Sequence, residues 1–282
     1  MSKSTTLPRR SWRPVDANLR LRVATAAVGI PLLIGLVGWS PVFVFSGFFL
    51  LLTLAALWEF YAMVFPQHWF GRAAGILSGF GLAQLALAAG ASVAANLLVL
   101  ALICLFAVLL FYRHFVEPWL TPWAWTAIGG LYIGYLLPYL ILLFDQPNGR
   151  AWVFWLFLVV MAGDSAAYFI GRRFGRRKLA PHLSPGKTVE GACGYVVGAV
   201  LGGFVAAALA FERISWWEIF VLSLAVSVLG QFGDLFESWI KRVHHVKDSG
   251  TLLPGHGGVL DRLDSLIFPA AFTTVYLRMF HS

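Results

Sequence analysis

The sequence predicts an all-α, polytopic membrane protein with about nine transmembrane helices and a cytoplasmic N-terminus, and three observations carry that prediction. Of the 282 residues, 59% are hydrophobic and only 12% are charged, a balance found in chains that live in lipid. The apolar residues gather in runs close to the roughly 20 residues a helix needs to cross hydrocarbon with every backbone donor and acceptor satisfied internally. The Lys and Arg residues fall between these runs in alternation, as expected where short cytoplasmic loops collect positive charge.

In chain order the runs lie near 22–39, 41–65, 73–90, 93–112, 122–144, 151–171, 190–211, 215–234 and 264–281. The third and fourth are joined by very little, only Gly90, Ala91 and Ser92. With the N-terminus inside, only Arg150, Arg213 and Arg278 of the 21 Lys and Arg residues fall on the far side. The net charge of +8 is therefore mostly topology, and no nucleic-acid partner is expected. Residues 1–21 read as a disordered basic tail, because the apolar run behind them outlasts a secretory signal and no small-residue cleavage site closes it. Residues 22–150 read as a transmembrane scaffold in which Glu59 is the one ionisable group that looks buried, and residues 151–282 as the catalytic region. Cys104 and Cys193 lie inside apolar runs, with neither a metal spacing nor a disulfide framework, and read as structural.

Three polar clusters interrupt the second half. An Asp, Lys or Arg at bilayer depth costs about 2.5–3.5 kcal/mol on insertion scales, so clustered charge there points to function. The first begins at Gly163, Asp164 and Ser165 within a span. It runs through Arg172, Arg173, Arg176, Arg177 and Lys178 to Ser184, Pro185, Gly186, Lys187, Thr188 and Glu190. Asp164 needs a partner or a water-filled cavity and is expected to face the protein interior. The Gly-Lys-Thr run is not a Walker loop, since position 181 is proline where that motif needs glycine and a basic loop stands where it needs a strand. Pro185 and Gly186 are expected to shape a turn, with Lys187 and Thr188 opening a helix near Val189 whose free N–H groups favour an anion such as phosphate. For Arg172 to Lys178, contact with lipid headgroups is the alternative.

The second cluster is Gly233, Asp234, Glu237, Ser238, Lys241 and Arg242. On a helix, Asp234, Ser238 and Lys241 at i, i+4 and i+7 share a face, with Glu237 beside them. The third is Pro254, Gly255, His256, Gly257 and Gly258, followed by Asp261, Arg262 and Asp264. Its glycines permit positive φ and close approach to a ligand, and Asp261 and Asp264, three apart, can point together. Oxygen-only ligands suit Mg²⁺ or Mn²⁺, whereas His244, His245 and His256 lack the spacing of a helical zinc site. No Ser/His/Asp or Cys/His arrangement stands out as a nucleophile. Carboxylates for a divalent metal together with cations for phosphates fit phosphoryl or nucleotidyl transfer, in which catalysis is mainly positioning and charge stabilisation.

The run Ser238, Lys241, Arg242, Lys247, Asp248, Gly250, Pro254, Gly255, His256, Gly257, Gly258, Asp261, Arg262 and Asp264 resembles the signature of the phosphatidate cytidylyltransferases (CDP-diacylglycerol synthases) at fourteen positions. Asp164 and the stretch Ser184 to Gly191 look like a second region of that family, while residues 1–150 match in hydropathy alone. The resemblance implies that CTP and phosphatidate are converted to CDP-diacylglycerol and pyrophosphate with Mg²⁺ as cofactor, leaving room for a second cation. By that resemblance Asp234 and Asp261 hold the metal, with Asp264 and Asp164 as supporting ligands or orienters. Lys241, Arg242, Lys247 and Arg262 neutralise the triphosphate, and Ser184, Lys187 and Thr188 contact a phosphate, with Gly186 and Glu190 in the same stretch. Ser238 and Asp248 belong to the matched catalytic set, and His256 organises the loop or donates to phosphate. The implied partners are CTP, phosphatidate and the bilayer of a bacterial inner membrane, and a homodimer is compatible with the pattern. A CDP-alcohol phosphotransferase is disfavoured because Asp261 and Asp264 are three apart rather than four. Transport of an anionic solute is disfavoured because the charge gathers at one face and no paired broken helices appear.

Overall fold

The computed structural model describes residues 17–89, 92–113, 120–252 and 257–281, with side chains from residue 27 onward. Four helices come first: α1 (Ala17–Trp39), α2 (Val42–Val64), α3 (Trp69–Ala89) and α4 (Val93–Phe111). A broken element follows, made of α5 (Pro122–Gly129), a π-helical turn (Gly130–Tyr135) and α6 (Tyr139–Phe144). Then come α7 (Gly149–Phe174), an antiparallel hairpin of β1 (Lys178–Ala180) and β2 (Ser184–Thr188), α8 (Val189–Ala210), α9 (Trp216–Val243) and α10 (Leu260–Phe280).

Seven of these units are long and apolar enough to cross a membrane: α2, α3, α4, the 122–144 element, α7, α8 and α9. Large apolar side chains such as Phe43, Leu51, Leu77 and Leu209 point outward, as they do on a lipid-facing surface. The chain is thus a multi-pass membrane protein. The other two predicted runs coincide with α1, whose described apolar stretch is Ala27–Trp39, and with α10, which carries Asp261, Arg262, Asp264 and Arg278. The basic tail expected over 1–21 already turns helical at Ala17, and residues 1–16 lie outside the described part.

The broken 122–144 element is the most buried of the seven. Gly134 lets its π turn lie directly on the backbone of α3, where a Cβ would come 2.8 Å from the carbonyl carbon of Gly79. Tyr132 then projects into an aromatic cluster with Phe106, Phe236 and Phe268, at centroid separations of 5.0 to 6.0 Å, the range in which tilted and edge-on rings attract. That cluster joins the scaffold to α9 and α10.

Around the site the decisive contact is between α7 and α8. Along α8 the small residues Gly194, Gly198 and Gly202 recur at helical spacing, and a Cβ on Gly198 would stand 2.6 Å from the carbonyl oxygen of Ala162. Such a stripe lets two helix backbones touch where lipid offers no hydrophobic drive between them. Thr188 caps α8, its hydroxyl accepting the Gly191 N–H at 3.1 Å, as an N-cap residue does for an orphan donor.

Two local expectations change. Pro185 and Gly186 lie within β2 rather than in a turn. The chain reverses at Pro181–Leu183, closed by the Leu183 N–H donating to the Ala180 carbonyl at 3.1 Å. The predicted span 215–234 continues unbroken to Val243, because the acids and bases beyond residue 234 find partners within the protein. Helix ends of like depth therefore meet: the C-terminal ends of α7 and α9 and the N-terminal ends of α8 and α10 share one face. The opposite face is closed by Glu218, which accepts from Tyr276 at 3.1 Å and pairs with His281 at 2.5 Å.

Candidate active site

A cavity of 630 Å³ opens at that shared face, walled by α7, β2, the start of α8 and α9. Asp164 from α7, Lys187 from β2 and Asp234 from α9 all line it, and Lys187 Nζ sits 2.6 Å from Asp234 Oδ2. The apolar span supplies Asp164 because the cavity gives its carboxylate an alternative to hydrocarbon. Its charge is also felt by Lys187 and by Arg262 at the start of α10. Gly186 and Thr188 line the same wall.

The hairpin that presents Lys187 is tied down at several points. Glu190 accepts the backbone N–H groups of Arg176 and Arg177 at 3.0 and 3.2 Å, Lys178 donates to the Pro185 carbonyl at 2.7 Å, and Arg242 donates to the Leu183 carbonyl at 3.0 Å. Glu190 and Arg242, both expected at the substrate, thus brace the hairpin. Ser184 begins β2, partly buried.

A second charged group stands beside the first. Lys241 donates to Glu237 at 2.6 Å and to Asp261 Oδ1 at 2.7 Å, so the i, i+4 pair on α9 gains a third member from α10. Asp261 Oδ2 accepts the backbone N–H of Ser249 at 3.0 Å and of Gly258 at 2.8 Å. Both oxygens of Asp261 are therefore engaged. The adjoining Gly257 has φ 81°, a left-handed conformation that glycine adopts without strain. Asp264 is buried, its Oδ1 accepting the backbone N–H and hydroxyl of Ser265, and its charge interacts with Asp234 and Glu237. Ser238 is buried on α9, Lys247 and Asp248 are exposed on the following loop, and Arg262 is exposed on α10. His256 lies outside the described residues. His244 meets Trp125 edge to face with centroids 4.6 Å apart and planes 67° apart, and burial, then the neighbouring His245, push its imidazole pKa down.

The four aspartates expected to share a metal are thus divided. Asp164 and Asp234 face the cavity, Asp264 lies behind Asp234, and Asp261 is committed to Lys241 and the loop. Among the described residues no three His, Cys, Asp or Glu side chains stand close enough to hold a metal ion. The donor set still fits Mg²⁺, which is usually held by one or two carboxylates with substrate phosphates and water completing its shell. Asp164 and Asp234 are the two carboxylates that would hold it here.

Three further residues belong to this region. Tyr195 lines the cavity, 3% exposed, with a buried hydroxyl that has no hydrogen-bond partner among the described residues. Its ring occupies the space left by Gly163, where a Cβ would come 2.6 Å from it. Nothing in a Gly/Ala/Val-rich span distinguishes such a tyrosine. Gln231, one turn before Asp234, lines the wall as well. Glu59 of α2 is 3% exposed and accepts the Leu260 N–H at 2.9 Å and the Ser249 hydroxyl at 3.2 Å. A lone acid in an apolar span was the available signal.

Fold and site together define a membrane-embedded protein whose acids and cations enclose an anion-sized cavity at one membrane face. The chain belongs to the cytidylyltransferase family, whose model matches residues 20–280. It is 45% identical over 166 residues to a phosphatidate cytidylyltransferase of Brucella suis biovar 1 (strain 1330), covering 58% of this chain and 61% of the relative. It is 41% identical over 183 residues to the phosphatidate cytidylyltransferase of Bacillus subtilis (strain 168), covering 63% and 68%. With the phosphatidate cytidylyltransferase of Staphylococcus saprophyticus it shares 38% identity over 146 residues, 52% of this chain and 55% of the relative. The chain spans about three-fifths of the length of the Brucella relative it matches.

Proposed function

We propose that this protein is a phosphatidate cytidylyltransferase of a bacterial inner membrane, joining CTP and phosphatidate to give CDP-diacylglycerol and pyrophosphate. The observation that carries the reading is the cavity in which Lys187 and Asp234 pair at 2.6 Å opposite Asp164. A lipid phosphate with acyl chains in the bilayer and a nucleotide from the aqueous side both have access to such a site. Family membership and the relatives support the same chemistry. In this reading all nine apolar runs cross the membrane, α1 and α10 included, and the N-terminus faces the cytoplasm.

A phosphate monoester is mostly ionised at neutral pH, its second pKa lying near ~6, so the lipid oxygen needs no strong base. It attacks the α-phosphorus of CTP, forming the new P–O bond. The bond from that phosphorus to the oxygen bridging to the β-phosphate breaks, and pyrophosphate leaves with the electron pair. Lys187 turns from Asp234 toward phosphate oxygens, and Arg262 and Lys247 add positive charge, whereas the first N–H groups of α8 are engaged within the protein, Val189 with the Arg177 carbonyl at 2.9 Å and Gly191 with the Thr188 hydroxyl at 3.1 Å. Lys241 and Arg242 keep α9, the hairpin and the glycine loop in register. A divalent cation such as Mg²⁺, held by Asp164 and Asp234, supplies charge neutralisation for the phosphates when bound.

The test is incubation of the purified protein in lipid nanodiscs with labelled CTP and phosphatidate. Pyrophosphate and CDP-diacylglycerol should form in equal amounts. Failure of an inserted, folded preparation to release pyrophosphate from that pair at any Mg²⁺ concentration overturns the reading.

A further inference from the structure

We infer that Glu59, from the transmembrane scaffold, is a positioning residue for the loop that carries the active-site glycines, acting with Asp261 as the second jaw of a carboxylate clamp on Ser249. The inference rests on the cytidylyltransferase reading for its activity arm only.

Three observations converge on this role. Glu59 lies 190 residues from Ser249 in sequence, yet its Oε2 accepts the Ser249 hydroxyl at 3.2 Å and the Leu260 N–H at 2.9 Å. Ser249 offers its backbone N–H to Asp261 Oδ2 at 3.0 Å, so one residue is gripped by two carboxylates from different helices. The loop is also shaped around the glutamate. A Cβ on Gly250 would come 2.6 Å from Glu59 Cδ, and one on Gly258 would come 2.5 Å from Glu59 Oε2. Glycine at these positions is explained by the carboxylate lying against the backbone, not by a turn, since neither has positive φ.

The clamp has a mechanical consequence. Leu260 is the first residue of α10, and its N–H is one of the donors a helix leaves orphaned at its start. Glu59 satisfies that donor from outside the helix and so fixes where α10 begins, one residue before Asp261. Asp261 in turn holds Lys241 at 2.7 Å. Glu59 is not among the residues lining the cavity, and it acts on the chemistry only through the loop. Its burial in a span, costly on its own, is offset in part by these donors, both of which go to Oε2, while Oε1 is buried with no hydrogen-bond partner among the described residues. At metal sites, removing a hydrogen-bonded partner of a ligating group typically costs about 10- to 100-fold in activity, and a loss of that order is expected here.

The experiment uses the full chain in nanodiscs and the variants Glu59→Gln, Ser249→Ala and the double variant. Amide exchange is followed at Ser249 and Leu260, with α9 amides such as those of Val226 to Gly230 as internal controls, and turnover is measured in parallel. In Glu59→Gln, exchange at Ser249 and Leu260 should accelerate at least tenfold with the controls unchanged. Its kcat should fall about 10- to 100-fold, with the KM for phosphatidate moving less than twofold. Ser249→Ala should show a smaller change of the same kind, and the double variant should be no worse than Glu59→Gln. If Glu59→Gln does not insert, Ser249→Ala alone carries the test, because it removes one hydrogen bond of the clamp and leaves the glutamate in place. Wild-type exchange at both amides in the variants overturns the clamp, as does additive loss in the double variant. A wild-type protein that shows the protected loop but no pyrophosphate release would instead sink the catalytic reading and leave the clamp standing.

Discussion

Replacing Lys187 by Met separates a substrate-gripping cation from a structural strut, because the two roles predict losses of different size. The Lys187 and Asp234 side chains are 25% and 33% exposed. Although Lys187 Nζ itself is buried, an ion pair between side chains that solvated contributes about 1 kcal/mol to stability, which for a chain of this size corresponds to a fall of about 2–4 °C in Tm. If Lys187 instead donates to phosphate during turnover, a charge-assisted hydrogen bond of about 1.5–3 kcal/mol is lost. That lowers kcat/KM about 10- to 150-fold. Met keeps most of the aliphatic stem, so the comparison isolates the ammonium. Thermal unfolding and CTP-dependent pyrophosphate release are measured on one nanodisc preparation. Lys187→Arg should recover part of the activity, since it keeps the charge but changes its geometry. Activity of Lys187→Met within twofold of wild type would refute the assignment, and so would a loss of activity matched by a Tm fall of ten degrees or more.

Three further outcomes follow from the same geometry. Gly198→Leu should abolish the folded protein, because even a Cβ at this position meets the Ala162 carbonyl oxygen at 2.6 Å and α7 and α8 would have to part; size-exclusion profiles in detergent report it. Asp261→Asn should lower turnover about 10- to 100-fold while the protein still inserts, since an amide cannot accept from both Lys241 and the two backbone N–H groups; pyrophosphate release beside a membrane-fraction blot checks this. The depressed imidazole pKa of His244 means that the unfolded chain binds a proton more readily than the folded one as pH falls below about 6.5. Stability contributed by neutral His244 is complete above that pH and is lost as pH drops through the folded pKa. A His244→Phe variant should lose this slope in a Tm series from pH 7.5 to 5, since it keeps an aromatic ring edge-on to Trp125 but has no proton to bind.

How much of this was legible in the sequence depended on whether a residue's partner was near it in the chain. The apolar runs, the helix start at Val189 and the shared face of Asp234 and Lys241 follow from spacing alone, because helix geometry turns sequence separation into position. Asp164 could be placed in a polar interior because an isolated acid in a span has few other fates. The partition of the carboxylates was not legible. Whether Asp261 binds a ligand or a lysine depends on which donors the loop at 249–258 brings to it, and those positions are set by contacts with α2. The hairpin at 178–188 was missed because three- and five-residue strands carry almost no periodic signal, and proline and glycine within it read as a turn.

That partition gives α9 two tasks on one stripe. Asp234 and Lys241 sit seven residues apart, two turns along the same face, yet their counterions differ in kind. Asp234 meets a lysine from a short hairpin at the cavity wall, a partner that an incoming phosphate can draw away. Lys241 lies between two buried carboxylates, its side chain only 12% exposed beside Glu237 at 0% and Asp261 at 9%. Breaking a buried set of this kind leaves an uncompensated charge and costs about 3–5 kcal/mol, so it does not exchange partners during a reaction. The same helix therefore holds one ion pair at a cavity wall and, two turns on, a buried set too costly to open. In the proposed reaction this difference lets the loop, the hairpin and α10 stay in register while Lys187 changes partners.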